Sequence, residues 1–290
     1  MEHCDILIIG AGAAGLAAAE AAWNAGCNNI LLVDRKSSPG GILLQCLHRG
    51  FGAGLGGPEY IEKLTANFPP EIRCLPDTTV VSVSDSKLAL LKSPRFGEKA
   101  VSFDQLILAT GCLEIPMGFL PIAGTRPRGV YTAGQMQEMM NLHGFRPEGP
   151  VVILGSGDLG LIMAKHLYEA AIPVAAIIEQ KEACGGMARN RQFLPESGIE
   201  VLCGLTVSQV RGYPRLEAVV LSDGRVIPCK TLLIAVGLRP DRTLAHNLEN
   251  KKWLHLCGNC SKIYPMVEGV IQDGRQAALR AVSALSIIEK

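Results

Sequence analysis

A chain of 290 residues is longer than one hydrophobic core usually organises, so two domains are expected. Charged residues make up 19% of it, below the roughly 25% of ordinary soluble chains, while 48% are hydrophobic and the formal net charge is +1. That balance leaves no basic footprint for nucleic acid, and no run of about 18 apolar residues offers a membrane span.

In chain order, the hydrophobic pattern predicts a strand at 4–9, a helix at 13–25 and a strand at 30–34. The turn between the first two reads Gly10-Ala11-Gly12-Ala13-Ala14-Gly15, and Asp34 ends the second strand. This is the strand, glycine turn and helix of a dinucleotide fingerprint. The first glycine permits the tight turn, the second lets backbone approach a pyrophosphate, and the third lets helix pack on strand. The acid accepts hydrogen bonds from ribose hydroxyls. The apolar stretch Ile6 to Ala19 does not read as a secretion signal. Glu2 and Asp5 stand where a basic region would be, and the glycine turn interrupts it, so a soluble cytoplasmic chain is expected.

A glycine-rich loop runs from Ser37 to Pro58, with a helix at about 59–67; a loop of this length is usually functional. Strand-like runs follow at 72–75, 78–84, 87–92 and 100–103, a meander, and then a buried strand from Gln105 that ends in Ala109-Thr110-Gly111. Pro116, Gly118, Pro121, Gly124 and Pro127 mark a connector rather than an element. After a helix at about 132–142 the parts recur. Val151 to Leu154 lead into Gly155-Ser156-Gly157-Asp158-Leu159-Gly160, a helix reaches about 171, and a strand at 174–179 ends in Glu179. Runs at 199–203, 206–212, 215–222 and 225–228 repeat the meander, and Thr231 to Gly237 repeats the closing strand. A last amphipathic helix, at about 266–288, follows Pro265 and should pack back on the first domain. The reading is an α/β protein of two Rossmann-like dinucleotide-binding domains, each a three-layer ββα stack. The second is inserted in the first: 1–115 with 245–290, and 116–244.

Ten cysteines in a chain this long point to a reducing cytosol rather than a disulfide scaffold. Only Cys257 and Cys260 are grouped, and one CxxC lacks the second pair of a four-ligand zinc or iron-sulfur site, so no metal site is expected.

These parts, in this order, resemble the two-dinucleotide-binding flavoproteins of the pyridine nucleotide-disulfide oxidoreductase superfamily across essentially the whole chain. The segment from Gly40 to Gly52 and that from Gly124 to Gly134 are similar to the short flavoprotein subunits of amino-acid, sarcosine-type and glycerol-3-phosphate dehydrogenase systems. The resemblance implies FAD on the first fingerprint, with Gly10, Gly12, Ala14, Gly15, Asp34, Arg35, Gly41, Val80, Thr110, Gly111, Gly258, Asn259 and Val267 around it. It implies NAD(P)H on the second, with Gly155, Gly157, Asp158, Gly160, Glu179 and Gly237. The family's late Gly-Asp is Gly258-Asn259 here, an amide that keeps hydrogen bonding but loses the charge. The final helix would aim its N-terminus, near Met266 and Val267, at the flavin, where its dipole stabilises a reduced anion.

On that resemblance the cofactors carry the chemistry. The protein sets nicotinamide C4 against flavin N5 and excludes water. Two electrons are then exchanged with a partner protein that carries a substrate site or an iron-sulfur centre, in a homo- or hetero-oligomer. Glu179 favours NADH over NADPH, because a carboxylate binds ribose hydroxyls and repels a 2′-phosphate, an effect that Lys181 partly offsets. In the lipoamide-type branch a cysteine pair follows the Gly-Gly; those positions are Leu43 and His48 here, and Cys46 stands alone. Cys46 and His48 are candidates for a reactive thiol and a proton donor, and Cys257 and Cys260 for a redox pair, with packing as the alternative in each case. The competing readings are a thioredoxin-reductase-like disulfide reductase and a flavin-binding sensor or scaffold without enzymatic activity.

Overall fold

The computed structural model describes residues 2–288, and the chain divides into two compact units, Met1–Leu113 with Pro240–Lys290, and Glu114–Arg239. Both breaks fall a few residues ahead of the junctions expected from sequence.

In the first unit, β1 (Glu2–Ile9) leads through the glycine turn into α1 (Ala13–Asn24), and β2 (Ile30–Val33) runs parallel to β1. A 3-10 turn at Gly41–Gln45 and helix α2 (Gly57–Thr65) order the glycine-rich loop. Then come β3 (Arg73–Leu75), β4 (Thr79–Val83) and β5 (Leu88–Ser93). β6 (Gly97–Leu108) is a single strand where the sequence suggests two. It is paired on both edges: its first half runs antiparallel to β5 on one side, and Val101 to Leu108 run parallel to β1 on the other. Strand alternation then builds the layers. Ile6 and Ile8 of β1, with Ile30 and Leu32 of β2, pack into one core cluster with the alanines of α1. Leu7, Ile9, Leu31 and Val33 point the other way, into a cluster with Val80, Ala89 and Leu91 of the meander. Both faces are covered, which is why these strands read as unbroken apolar runs.

β7 (Cys112–Glu114) carries the chain into the second unit, where the supposed connector contributes an element. β8 (Ala123–Gly124) pairs with a later strand, β13 (Val207–Arg211), and a Cβ on Gly124 would stand 2.1 Å from the Val210 carbonyl oxygen, an approach hidden in a two-residue strand. The rest repeats the first unit: β9 (Val130–Thr132), α3 (Ala133–His143), β10 (Val151–Leu154), α4 (Asp158–Glu169) and β11 (Val174–Glu179). Two single-turn helices, α5 (Ala188–Arg191) and α6 (Leu194–Ser197), precede β12 (Val201–Cys203), β13 (Val207–Arg211), β14 (Ala218–Leu221), β15 (Val226–Pro228) and β16 (Thr231–Ile234). The parallel sheet has the order β12-β11-β10-β16-β9, and the meander sheet the order β15-β14-β13-β8. Val152, Leu154, Leu232 and Ile234 face the meander, while Val151, Ile153 and Leu233 face α3 and α4.

β17 (Leu238–Pro240) returns the chain to the first unit, β18 (Leu254–Leu256) adds a parallel strand to β6, and α7 (Val267–Ile288) lies against α1. That helix contact is close because Gly274 has no side chain: a Cβ there would sit 2.2 Å from the Ala14 carbonyl oxygen. Among the described residues no helix is long and apolar enough to cross a membrane.

Candidate functional site

The first fingerprint folds into a cradle whose three glycines serve different purposes. Gly10 has φ +105°, and a Cβ on it would approach the Ala109 carbonyl oxygen to 2.4 Å. Gly15 has the severest restriction, since a Cβ would stand 1.8 Å from the Gly10 carbonyl oxygen. Gly12 is unlike both. Its φ of −77° suits any residue, and a Cβ would meet only the Cα of Gly41, at 3.9 Å. Gly12 is also the N-cap of α1, and no side chain caps it. The Asp34 carboxylate accepts the Ala11 N–H at 2.6 Å and the Lys36 N–H at 2.7 Å, tying the end of β2 to the turn. Gly40 donates its N–H to the Ala11 carbonyl at 2.7 Å, so the loop after Asp34 folds back over the cradle with Gly41 beside Gly12.

Thr110 and Gly111 follow β6, with the Thr110 hydroxyl bonded to the Asp241 carbonyl at 2.7 Å. Gly258 takes φ +63°, and its N–H and the Ser261 hydroxyl both donate to Asp273 of α7. Asn259 uses its amide oxygen to receive the Tyr264 N–H at 3.0 Å, shaping the approach to α7. Val267 is partly buried beside the α1 core and Ala14 is buried within it. Arg35 is exposed, and the Val80 side chain is buried in the meander core.

The second fingerprint reproduces this arrangement. Gly155 has φ +106° with the Ala235 carbonyl oxygen 2.4 Å from a Cβ, and Gly160 would clash with the Gly155 carbonyl oxygen at 2.2 Å. Gly157, the uncapped N-cap of α4, has φ −64° and open space around a Cβ. Glu179 is buried and held by its own chain: it accepts the Ser156 N–H and the Lys181 N–H, each at 2.9 Å, and the Ser156 hydroxyl. Burial alone raises its carboxyl, but the bonds from Ser156 and Lys181 and the Lys181 charge outweigh that and lower it, so the group is an anion at neutral pH. Ser156 Oγ also receives the Gly185 N–H at 2.7 Å. Asp158 accepts the Met187 N–H and the Asn190 amide, both at 2.7 Å, which closes the loop after Glu179 over this cradle as well. Gly237 has φ +142°. By contrast, α3 is capped by Thr132, and Glu114 accepts the Gly134 N–H there at 2.7 Å, leaving that helix end satisfied by the protein.

Residues 4–254 match the pyridine nucleotide-disulphide oxidoreductase family. The chain belongs to this family. It is 30% identical over 256 residues to the alpha subunit of sarcosine oxidase from Rhizobium meliloti, covering 82% of this chain and 25% of that protein. It is 27% identical over 277 residues to a subunit of opine oxidase from Agrobacterium tumefaciens, covering 83% and 54%. The chain thus spans between a quarter and about half the length of these relatives. Thioredoxin reductase of T. acidophilum shares the fold, with a TM-score of 0.78, 18% identity and coverage of 98% and 99%.

Within this member of the oxidoreductase family, three of the four residues singled out for redox or proton chemistry are buried and the fourth packs against an aromatic ring. Cys257 and Cys260 are fully buried and enter different core clusters, Cys257 under α1 and α7 and Cys260 on the meander side. Burial pushes both thiols up. Cys46 donates to the Ile42 carbonyl at 3.3 Å, and burial pushes its thiol up to about 12, which keeps it protonated and poorly nucleophilic. His48 packs at a tilt against Phe51, with ring centroids 5.0 Å apart and planes 47° from parallel. Sequence reasoning overlooked Ser156, Asp273 and the pair Gly185-Gly186. The last was legible, since it follows Glu179 at the spacing at which Gly40-Gly41 follows Asp34.

Proposed function

We propose that this chain is the FAD- and NAD(P)H-binding part of an oxidoreductase, with FAD on the first cradle and NADH on the second. The supporting observation is the pair Gly12 and Gly157. Neither glycine is required by its own backbone, and a methyl on either would point into space the chain does not use. Glycine there leaves room for a ligand's phosphates against two uncapped helix N-termini, and Asp34 and Glu179 stand where riboses are recognised. Bound FAD would supply a centre that takes two electrons as hydride and releases them singly or in pairs. The protein's own part is positional. Asp34 and the Gly40-Gly41 loop hold the first nucleotide, Gly258 and Asn259 shape the approach to α7, and Ser156 and Lys181 hold Glu179 as an anion. That anion favours NADH, because a 2′-phosphate would meet its charge. The two relatives are subunits by name, which supports a partner polypeptide carrying a substrate site or an iron-sulfur centre.

The isolated protein should be yellow, and anaerobic NADH should bleach its bound flavin at a saturating rate. A colourless protein that does not take up FAD, or a flavin that neither NADH nor NADPH reduces, overturns the proposal. The two cradles separate by mutation. Gly12→Ala should fold with stability unchanged or raised by up to about 1 kcal/mol, as a permitted Gly→Ala change allows, yet retain little FAD. Gly157→Ala should keep the flavin and lose its reduction by NADH.

A further inference from the structure

We infer that His3, Asp5 and Asp104 form a binding site for a divalent first-row transition cation at the amino-terminal edge of the first unit's parallel sheet. His3 and Asp5 lie two apart on β1 and so share one face. The parallel register sets His3 against Ser102 and Ile6 against Gln105 of β6, which places Asp104 beside them. His3 Nε2 is 3.3 Å from Asp104 Oδ2 and 3.7 Å from Asp5 Oδ1, and one ligand atom from each residue lies within 4.8 Å of the others. Tetrahedral ligands at about 2.1 Å from a metal stand roughly 3.4 Å apart, so modest closure of half-exposed side chains completes the set.

The surroundings fix the lone pair that such a cation needs. The Ser102 hydroxyl donates to the Glu2 carbonyl at 3.3 Å, so its oxygen is left to accept His3 Nδ1–H at 3.1 Å. That arrangement puts the Nε2 lone pair toward two carboxylates. A divalent ion held there would take that lone pair together with an oxygen from each carboxylate. On the other side Arg73 donates to Asn29 at 3.1 Å, and Asn29 donates to Asp5 Oδ1 at 2.8 Å, a chain that holds one carboxylate in place. One imidazole with two carboxylates suits Mn²⁺, Fe²⁺, Co²⁺ or Zn²⁺ better than a purely hard cation or a thiolate-seeking one. The CxxC that the sequence offered is not involved, and no linear spacing betrays this set because strand pairing assembles it.

The test is titration of the full-length, chelator-treated protein with Co²⁺, followed by Zn²⁺ competition. One Co²⁺ per chain should bind with visible d–d bands and no thiolate charge-transfer band, and should raise the thermal midpoint. His3→Ala and Asp104→Asn should each weaken binding by at least about tenfold and abolish that rise, with unchanged circular dichroism. No saturable uptake at millimolar Co²⁺ overturns the inference. So does uptake that carries a thiolate band, or uptake that both variants leave unchanged.

Discussion

Gly15→Ala is expected to destabilise the protein by about 3–5 kcal/mol and to leave it without flavin, measured by urea denaturation and by the absorbance of the purified chain. The added methyl would stand 1.8 Å from the Gly10 carbonyl oxygen and 3.4 Å from the Ala109 side chain. Carbonyl oxygen cannot swing aside as a flexible side chain can. The turn between β1 and α1 must therefore open, and with it the contacts that the α1 alanines make with α7. Glycine at 15 is required by the chain itself and glycine at 12 is, on the proposed function, kept for a ligand, so the two alanine variants should part company. The first loses fold and flavin together, and the second loses flavin alone. Equal stability loss in both would show that the cradle glycines have a common structural role and would remove the support that Gly12 lends to a nucleotide.

Much of this was readable in the sequence because the informative features are local. A parallel strand buried on both faces is a run such as Ile6 to Ile9, and a glycine turn before an alanine-rich helix needs no distant partner to be recognised. The two fingerprints and their acids lie where these patterns put them. What could not be read is set by distant segments. The join in β6 depends on β5 and β1 flanking it on opposite edges with overlapping spans, and Ala123-Gly124 becomes β8 only because β13 lies alongside it. Asp273 reaches back across α7 to the Gly258 turn, and His3 meets Asp104 only through strand register. Cys257 and Cys260 show the reverse failure. Their spacing suggests a pair, but one faces each side of the sheet.

Glu179→Gln is expected to cost about 1–3 kcal/mol of stability at neutral pH and to erase most of the proposed preference for NADH over NADPH. The carboxylate accepts three donors in a buried place, two through one oxygen and one through the other. An amide offers one oxygen, so an NH₂ must face either the Lys181 N–H or the Ser156 pair, and Ser156 in turn holds the Gly185 N–H. The pH dependence follows from the direction of the shift. A carboxyl lowered from 4.5 in the folded state contributes stability that is fully present above that ordinary value and is lost as pH falls through the lowered one. The gap between wild type and variant should thus stay constant from pH 7 down to about 5 and shrink below the ordinary carboxyl range. A gap that widens on acidification would mean that Glu179 is protonated in the folded protein. In steady-state kinetics the ratio of kcat/KM for NADH to that for NADPH should fall toward unity through KM, since a neutral amide no longer repels a 2′-phosphate. An unchanged ratio would place coenzyme choice elsewhere, with Lys181 and then Arg189 and Arg191 of α5 as the residues to replace next.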